Sequence, residues 1–347
     1  MNRMKDVAKH AGVSIATVSY VLAGKPGVGD TVRERVLQSI KELNYEVNLV
    51  ARGLKTNRTG TIGVILPDIT KLFFLNVLKG IMEAATRAKY NITIFSSNFN
   101  FEVEQRLVTT LRSNRVEGIV LGSCVNRTRA REWTQELVNG KNTPPVVSLE
   151  CLLDPRYISS VVVDTRKLSG RLTQHLVEIG RRRILFIAGP VHIEYEHDHL
   201  TGYKDVLKMN KIPVQKALIT FGDFMSKTAY DIVCSALEKG TRFDAIQASN
   251  DQAAIGAIKA LKKYNISVPR DVAVCGYDNL FPSTLISPAI TTVSVPGYEM
   301  GVTAVEELLR RINDCSLPPK QYYMDAEIIL RASSLAHTKT DWSLDNW

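Results

Sequence analysis

The chain is 347 residues long with 45% hydrophobic and 23% charged side chains, a length for two or three folding units and a composition that excludes wholesale disorder and fibrous repeats. Its net charge of +9 points toward polyphosphate partners, while no run approaches the ~18 unbroken apolar residues of a membrane span. The opening MNRMKDVAKHAG lacks a signal-peptide core, and five cysteines (Cys124, Cys151, Cys234, Cys275, Cys315) stand singly without zinc or redox spacing, so we expect a cytoplasmic protein with no metal, cofactor or membrane partner.

Charge is concentrated at the start, where residues 1–60 hold ten Lys/Arg against five Asp/Glu. Lys5 to Ala11 places Val7 and Ala11 four apart, and Gly12 ends this short helix. Ser14 caps a second helix from Ile15 to Leu22 that buries Val18, Val21 and Leu22 and leaves Ile15, Ala16, Thr17, Ser19 and Tyr20 on other faces. After GKPGVGD, Asp30 opens a third helix carrying Val32, Val36, Ile40 and Leu43, ending near Asn44 and Tyr45. Two short helices across a tight turn with a third as brace make a helix-turn-helix, whose second helix enters the major groove. On pattern alone, a plain three-helix bundle is the alternative.

Next comes NLVARGL, Asn48 to Leu54, which contains Gly53 and lacks a strong cap, so it needs a partner to become helical. From Thr61 onward the runs TIGVILP, NITIFSS, GIVLGS, PVVSLE, SVVVD, ILFIAG, LITFG, AIQASN and VAVCGYD alternate with helical patterns, followed by ITTVSV. That alternation predicts parallel α/β sheets. So many strands exceed one comfortable sheet, hence two doubly wound lobes with a ligand cleft beyond the carboxyl ends of the strands.

The candidates at those ends are Asp68 with Phe73 and Phe74 behind it, Glu150, Phe224, Asn250 and Asp278. Aromatic rings with a few carboxylates and amides suit a polyhydroxylated ring, so a sugar or sugar derivative is the expected small-molecule effector. Phe73 and Phe74 begin a helix whose Val77, Leu78 and Ile81 belong to the core, so one of the two rings is expected to be packing; Asn250 and Asp251 also suit a helix cap, and Asp278 a turn.

The stretches KDVAKHAGVSIATVSYVLAGKPGV, YEVNLVARGLKTNRTGTIGVILPDI, VDTRKLSGRLTQHLVEIGRRRILFIAGP, DVAVCGYDN and SPAITTVSVPGYEMG resemble the lactose/galactose-repressor family over nearly the whole chain. The resemblance implies a two-lobed module similar to type I periplasmic sugar-binding proteins, crossed three times by the chain. It implies that Ile15, Ala16 and Tyr20 read bases and that Ser14, Thr17 and Ser19 bond phosphates. It further implies that the 47–60 segment folds as a hinge helix on DNA and pushes Leu54 into a minor-groove step, with Asn48, Arg52 and Lys55 in the contact set. An inert tether with Leu54 packed on its own core is the alternative. Asp278 matches a position that bonds effector hydroxyls.

Three positions depart from the family pattern. Tyr20 stands where many members carry arginine, the commonest reader of guanine, so a different operator is expected. Lys71-Leu72 replaces Asn-Pro before the paired aromatics, and His199 replaces the arginine clamp before Gly202-Tyr203. HIEYEHDH, His192 to His199, is expected to be a solvated acidic loop at the cleft rim rather than a metal site.

No GxSxG, GxxxxGK[ST], HExxH or strand-following GxGxxG is present, so catalysis is not expected. A cytoplasmic solute-binding protein without a DNA role is the remote alternative. The expected organisation is a head (1–46), a hinge and linker (47–60), a two-lobed module (61–336) and a polar tail (337–347). Within the module the N-lobe takes about 61–162 and 293–322, the C-lobe about 163–292 and 323–336. The expected regulator is a homodimeric repressor on a palindromic operator, released by its effector, with a global regulator that uses a phosphorylated carrier protein as corepressor as the alternative.

Overall fold

The computed structural model describes residues 2–22, 24–45, 58–125, 127–140, 143–191 and 193–336. The hinge candidates Asn48, Arg52, Leu54 and Lys55 and the 337–347 tail lie outside the described residues. Two compact units are present, Met1–Gly60 and Thr61–Trp347.

The first unit contains three helices, α1 (Met4–Ala11), α2 (Ile15–Leu22) and α3 (Asp30–Glu42). Gly12 ends α1 in the left-handed region at φ 62°, where a residue without Cβ is unstrained. The chain then turns at once, and the Ser14 hydroxyl accepts from the Thr17 amide at 3.1 Å to start α2. Val7, Ala8, Ala11, Val18, Val21 and Val36 form the core, with Leu22, Val32, Ile40 and Tyr45 packed around it. Leu22 is therefore half-buried rather than fully buried. At about 0.8 kcal/mol per buried CH₂, so few and such small side chains give a domain of modest stability.

The second unit begins with β1 (Thr61–Leu66), β2 (Asn91–Ser96), β3 (Gly118–Gly122), β4 (Val146–Leu149) and β5 (Ser159–Val162). It continues through β6 (Ile184–Ala188), β7 (Ile219–Phe221), β8 (Ala245–Ala248), β9 (Ala273–Cys275), β10 (Thr292–Ser294), β11 (Gln321–Tyr323) and β12 (Glu327–Ile329). Its helices are α4 (Leu72–Arg87), α5 (Phe101–Ser113), α6 (Arg127–Val138), α7 (Thr165–Glu178), α8 (Glu194–Met209), α9 (Ser226–Glu238), α10 (Asp251–Lys263), α11 (Pro282–Leu285) and α12 (Gly297–Asn313).

One parallel sheet has the order β11-β5-β4-β3-β1-β2 and the other β7-β6-β8-β9, the two doubly wound lobes anticipated from the alternation. The strands β3, β4, β5, β6 and β8 are buried along their whole length, which is why they read as mostly apolar instead of alternating, with Ser148, Ser159, Ser160 and Gln247 as the buried polar exceptions. Chain crossings between the lobes follow β5, lie around β10, and fall between β11 and β12. There β10 and β12 pair antiparallel, an element too short, at three residues each, to stand out in the sequence.

Helices meet closely where glycine removes a side chain. A Cβ on Gly80 of α4 would overlap the Tyr298 carbonyl of α12, and one on Gly301 of α12 would overlap the Val77 carbonyl of α4. In the second lobe Gly202 of α8 makes the same approach to Arg166 of α7. These contacts clamp each lobe as a rigid body, leaving relative movement to the crossing segments.

Candidate DNA-reading surface and effector cleft

In the first unit, packing Val18 and Val21 inward turns the opposite side of α2 to solvent. Ile15 and Tyr20 remain 52% and 48% exposed despite their apolar bodies. Ser14 and Ala16 are exposed too, with Thr17 and Ser19 half-buried. Val13, Ser14, Ala16, Thr17 and Tyr20 form one wall of a surface hollow whose other wall is Gly27, Val28, Gly29 and Val32. The Lys25 ammonium lies 5.4 Å from the centre of the Tyr20 ring and Arg33 donates to the Lys25 carbonyl at 3.0 Å, so cationic groups border the surface. Hydroxyls, small apolar groups and flanking cations on one helix face suit a base-edge and phosphate surface.

In the second unit a cleft lies at the carboxyl ends of the strands. The lining brings together seven of the expected residues, Phe73, Phe74, Glu150, His199, Phe224, Asn250 and Asp278, and adds Lys71, Phe99, Val163, Thr165, Ser249 and Tyr277. Asp68 is not among them. Its carboxylate accepts from the Thr70 amide at 2.9 Å and the Thr70 hydroxyl at 2.7 Å, closing the turn before α4.

Four lining residues, Phe99, Glu150, Phe224 and Asp278, have φ of 56°, 58°, 68° and 98°. Non-glycine residues in this region cost about 1–3 kcal/mol each, a concentration of strain that the surrounding packing must hold in place. For Phe224 the holding is visible: its carbonyl accepts from the Asn250 amide at 3.2 Å, its ring lies over Gly189, and it faces Phe99 of the other lobe at 5.6 Å between ring centres. The oxygen of Asn250 accepts from the Ala253 amide at 2.8 Å and so caps α10. Asn250 thus serves as cap and strut while lining the cleft. Phe73 and Phe74 meet edge to face at 5.2 Å, and both reach the cleft although both are buried, where one had been expected only to pack.

The HIEYEHDH stretch departs from the expected solvated loop. Glu194–Met209 is helical, and Ile193, Glu196, His199, Leu200, Tyr203 and Leu207 recur at helical spacing on the buried side. His199 packs against Tyr277 at 4.4 Å, and burial pushes its pKa down to about 3, so the ring is neutral in the clamp position. Glu196 accepts from the Gly189 amide at 2.6 Å through Oε2, while Oε1 is buried without a partner. Among the described residues no group of three His, Cys, Asp or Glu could hold a metal ion.

Burial raises both Glu150 and Glu196 to about 8, with each carboxylate close enough for Glu150 to add to the effect on Glu196. Asp278 is raised well above the usual carboxylate range by burial and then by Asp251, Glu150 and Glu196. Asp251, beneath the floor, is raised by burial to about 7 although the Thr292 hydroxyl and Leu280 amide donate to it, each at 2.7 Å. Like charges converge from both lobes on a space walled by aromatic rings.

The missed lining residues had weak signals. Ser249 and Tyr277 sit at the ends of AIQASN and VAVCGYD, strands already assigned, and Lys71 stood out only as a departure. Phe99 follows β2 in a loop with no pattern, and Glu196 was hidden in a polar stretch.

A family model described as bacterial regulatory proteins, lacI family, matches residues 3–48, and one described as periplasmic binding proteins and sugar binding domain of LacI family matches residues 59–328. The chain belongs to the LacI family. It is 33% identical over 333 residues to the HTH-type transcriptional regulator RegA of Clostridium saccharobutylicum, covering 96% of this chain and 99% of that protein. Catabolite control protein A of Priestia megaterium is 33% identical over 309 residues (89% and 92% of the two chains), and the ribose operon repressor of Escherichia coli K12 is 30% identical over 336 (96% and 100%). The solved lac repressor dimer bound to operator and the anti-inducer ONPF matches with a TM-score of 0.87 at 25% identity, over 96% of this chain and 99% of that one. This LacI-family chain is accordingly a DNA-binding transcriptional regulator with an effector-binding module, in a family of regulators rather than enzymes. Among its described residues no helix is long and apolar enough to cross a membrane.

Proposed function

We propose that the protein is a repressor that binds a palindromic operator as a homodimer and changes its operator affinity when a small polyhydroxylated effector occupies the cleft. The observation carrying this reading is the pairing, in one chain, of an outward-facing α2 surface with an aromatic, carboxylate-bearing cleft between two lobes. Ile15, Ala16 and Tyr20 read base edges, with Ser14, Thr17 and Ser19 on phosphates. Asn48, Arg52, Leu54 and Lys55 contact the minor groove in a 47–60 hinge that joins the 1–46 head to the 61–336 module. Phe73, Phe74, Glu150, His199, Phe224 and Asp278 surround the effector. If DNA and effector prefer different lobe arrangements, each weakens the other by the same factor, typically about 5 to 150-fold.

Operator selection from random duplexes, repeated with sugars and sugar derivatives, tests the reading. The expected result is a two-fold site released by one compound; no sequence preference at moderate salt would refute it. Leu54→Ala is expected to weaken operator binding about tenfold or more while sparing effector affinity, and an unchanged titration would remove the hinge from the reading. The likeness to catabolite control protein A favours a second reading, in which a phosphorylated carrier protein is the corepressor; an operator complex strengthened only by that protein would select it.

A further inference from the structure

The charges of the cleft are one-sided. Glu150 follows β4 in one lobe and Asp278 follows β9 in the other, and both line the cleft, with Glu196 of α8 close enough to act on Asp278 from behind the lining. Among the described residues no arginine lines the cleft, His199 is neutral, and Lys71 is the one charged basic side chain in the lining. Its ammonium is turned to the mouth, 2.7 Å from the Met225 sulfur and 3.5 Å from the Asp223 carbonyl of the facing lobe.

Two further groups lack partners. The Ser249 and Tyr277 hydroxyls, on cleft-lining residues 5% and 4% exposed, are both buried with no hydrogen bond, although buried polar atoms are nearly always paired.

Resting on the reading of this cleft as the effector site, we infer that the effector carries a protonated amine, held between Glu150 of one lobe and Asp278 of the other, with its carbon skeleton packed on the aromatic rings. An ammonium offers three donors and no acceptor, which complements this set of groups. Bridging the two lobes, it supplies the positive charge against which Glu150 and Asp278, held protonated by burial in the empty cleft, can ionise. Phe73, Phe74, Phe99 and Phe224 offer faces to the adjacent polarised carbons and to the cation itself. A phosphorylated or carboxylated ligand would instead bring negative charge that Lys71 alone in the described lining could answer. A neutral sugar would bond to the carboxyls without supplying a charge against which they ionise.

Calorimetric titration of the full chain with glucosamine, galactosamine and mannosamine, against the neutral parent hexoses, the N-acetylated forms and glucose 6-phosphate, tests this. The expected result is that one amino sugar binds at least about tenfold tighter than its neutral parent and its N-acetylated form, which keep the ring but lose the cation. Glu150→Gln is expected to erase most of that preference, so that the amino sugar binds no tighter than its neutral parent; Asp278→Asn serves as the second variant, and a cooperative melt confirms that each folds. A neutral or phosphorylated sugar that binds best and shifts operator affinity overturns the amine and leaves the effector reading standing. Failure of every amino sugar to bind at about 10 mM also overturns the amine, and if no sugar shifts operator binding the effector reading falls with it.

Discussion

The head and the cleft solve opposite problems with the same alphabet. In the head, the proposed reading surface is what packing leaves over: α2 buries Val18 and Val21, while Ile15, Ala16 and Tyr20 stay exposed. In the second unit, function sits inside, on residues such as Phe224 and Glu150 that are held at positive φ and partly or wholly removed from water. Reading DNA requires side chains presented to a partner that brings its own charge. Enclosing a small molecule requires polar groups desolvated in advance, and strain held by the fold around them.

The sharpest test of that separation is Val18→Asp. A carboxylate forced into the small head core should unfold it and weaken operator binding at least about 100-fold, while ligand titration of the cleft stays unchanged. Equal loss at both sites would show that the two units fail together and the division is wrong. Tyr20→Arg should change preference rather than stability: base selection by the variant should gain guanine at one position of each half-site, with about tenfold or more discrimination. An unaltered selection profile would take Tyr20 off the base-reading surface.

A third measurement separates the units by pH. Glu150 and Glu196 rise from 4.5 to about 8 on folding through burial, so the folded protein binds their protons more tightly than the unfolded chain. That contribution is fully present below pH 4.5 and is lost as pH rises through 8, with Asp251 and Asp278 acting in the same direction. The Tm of the empty protein should therefore fall by a few degrees between pH 5 and 8, and Glu150→Gln should flatten the slope. A flat profile in the parent protein would mean that the carboxylates stay ionised in the closed cleft. The smallest effect is expected for Asn250→Ala, which removes a cap and the strut to Phe224 at a cost of about 1 kcal/mol; a loss of several times that would make Asn250 more than a cap.

Legibility followed the same division. The head was readable because helical spacing names the buried face, and the buried face names the exposed one. The sheets were readable because strands covered on both sides are apolar throughout, whereas β11 and β12 were not, at three residues each and with only half-buried or exposed positions. Six cleft residues followed from the rule that ligands meet the carboxyl ends of parallel strands, and His199 from the resemblance. Glu196 escaped because charge density in HIEYEHDH outweighed the spacing of Ile193, Glu196, Leu200, Tyr203 and Leu207, which marks an inward face once aligned. The positive φ of Phe224 and Glu150 had no signal at all, since neither is a residue that favours that region. Asp68 lies outside the cleft lining and closes the turn before α4, a role that strand-end aspartates share with ligand binding.

The contact of Phe99 with Phe224 joins the two lobes without help from any ligand. An effector entering past these rings is expected to require them to part. Association is then gated: at high concentration the observed binding rate should level off at the rate of opening instead of rising without limit, and lightening either ring should raise that plateau. How quickly the regulator answers a change in its surroundings is in this way written into two side chains that never need to touch DNA.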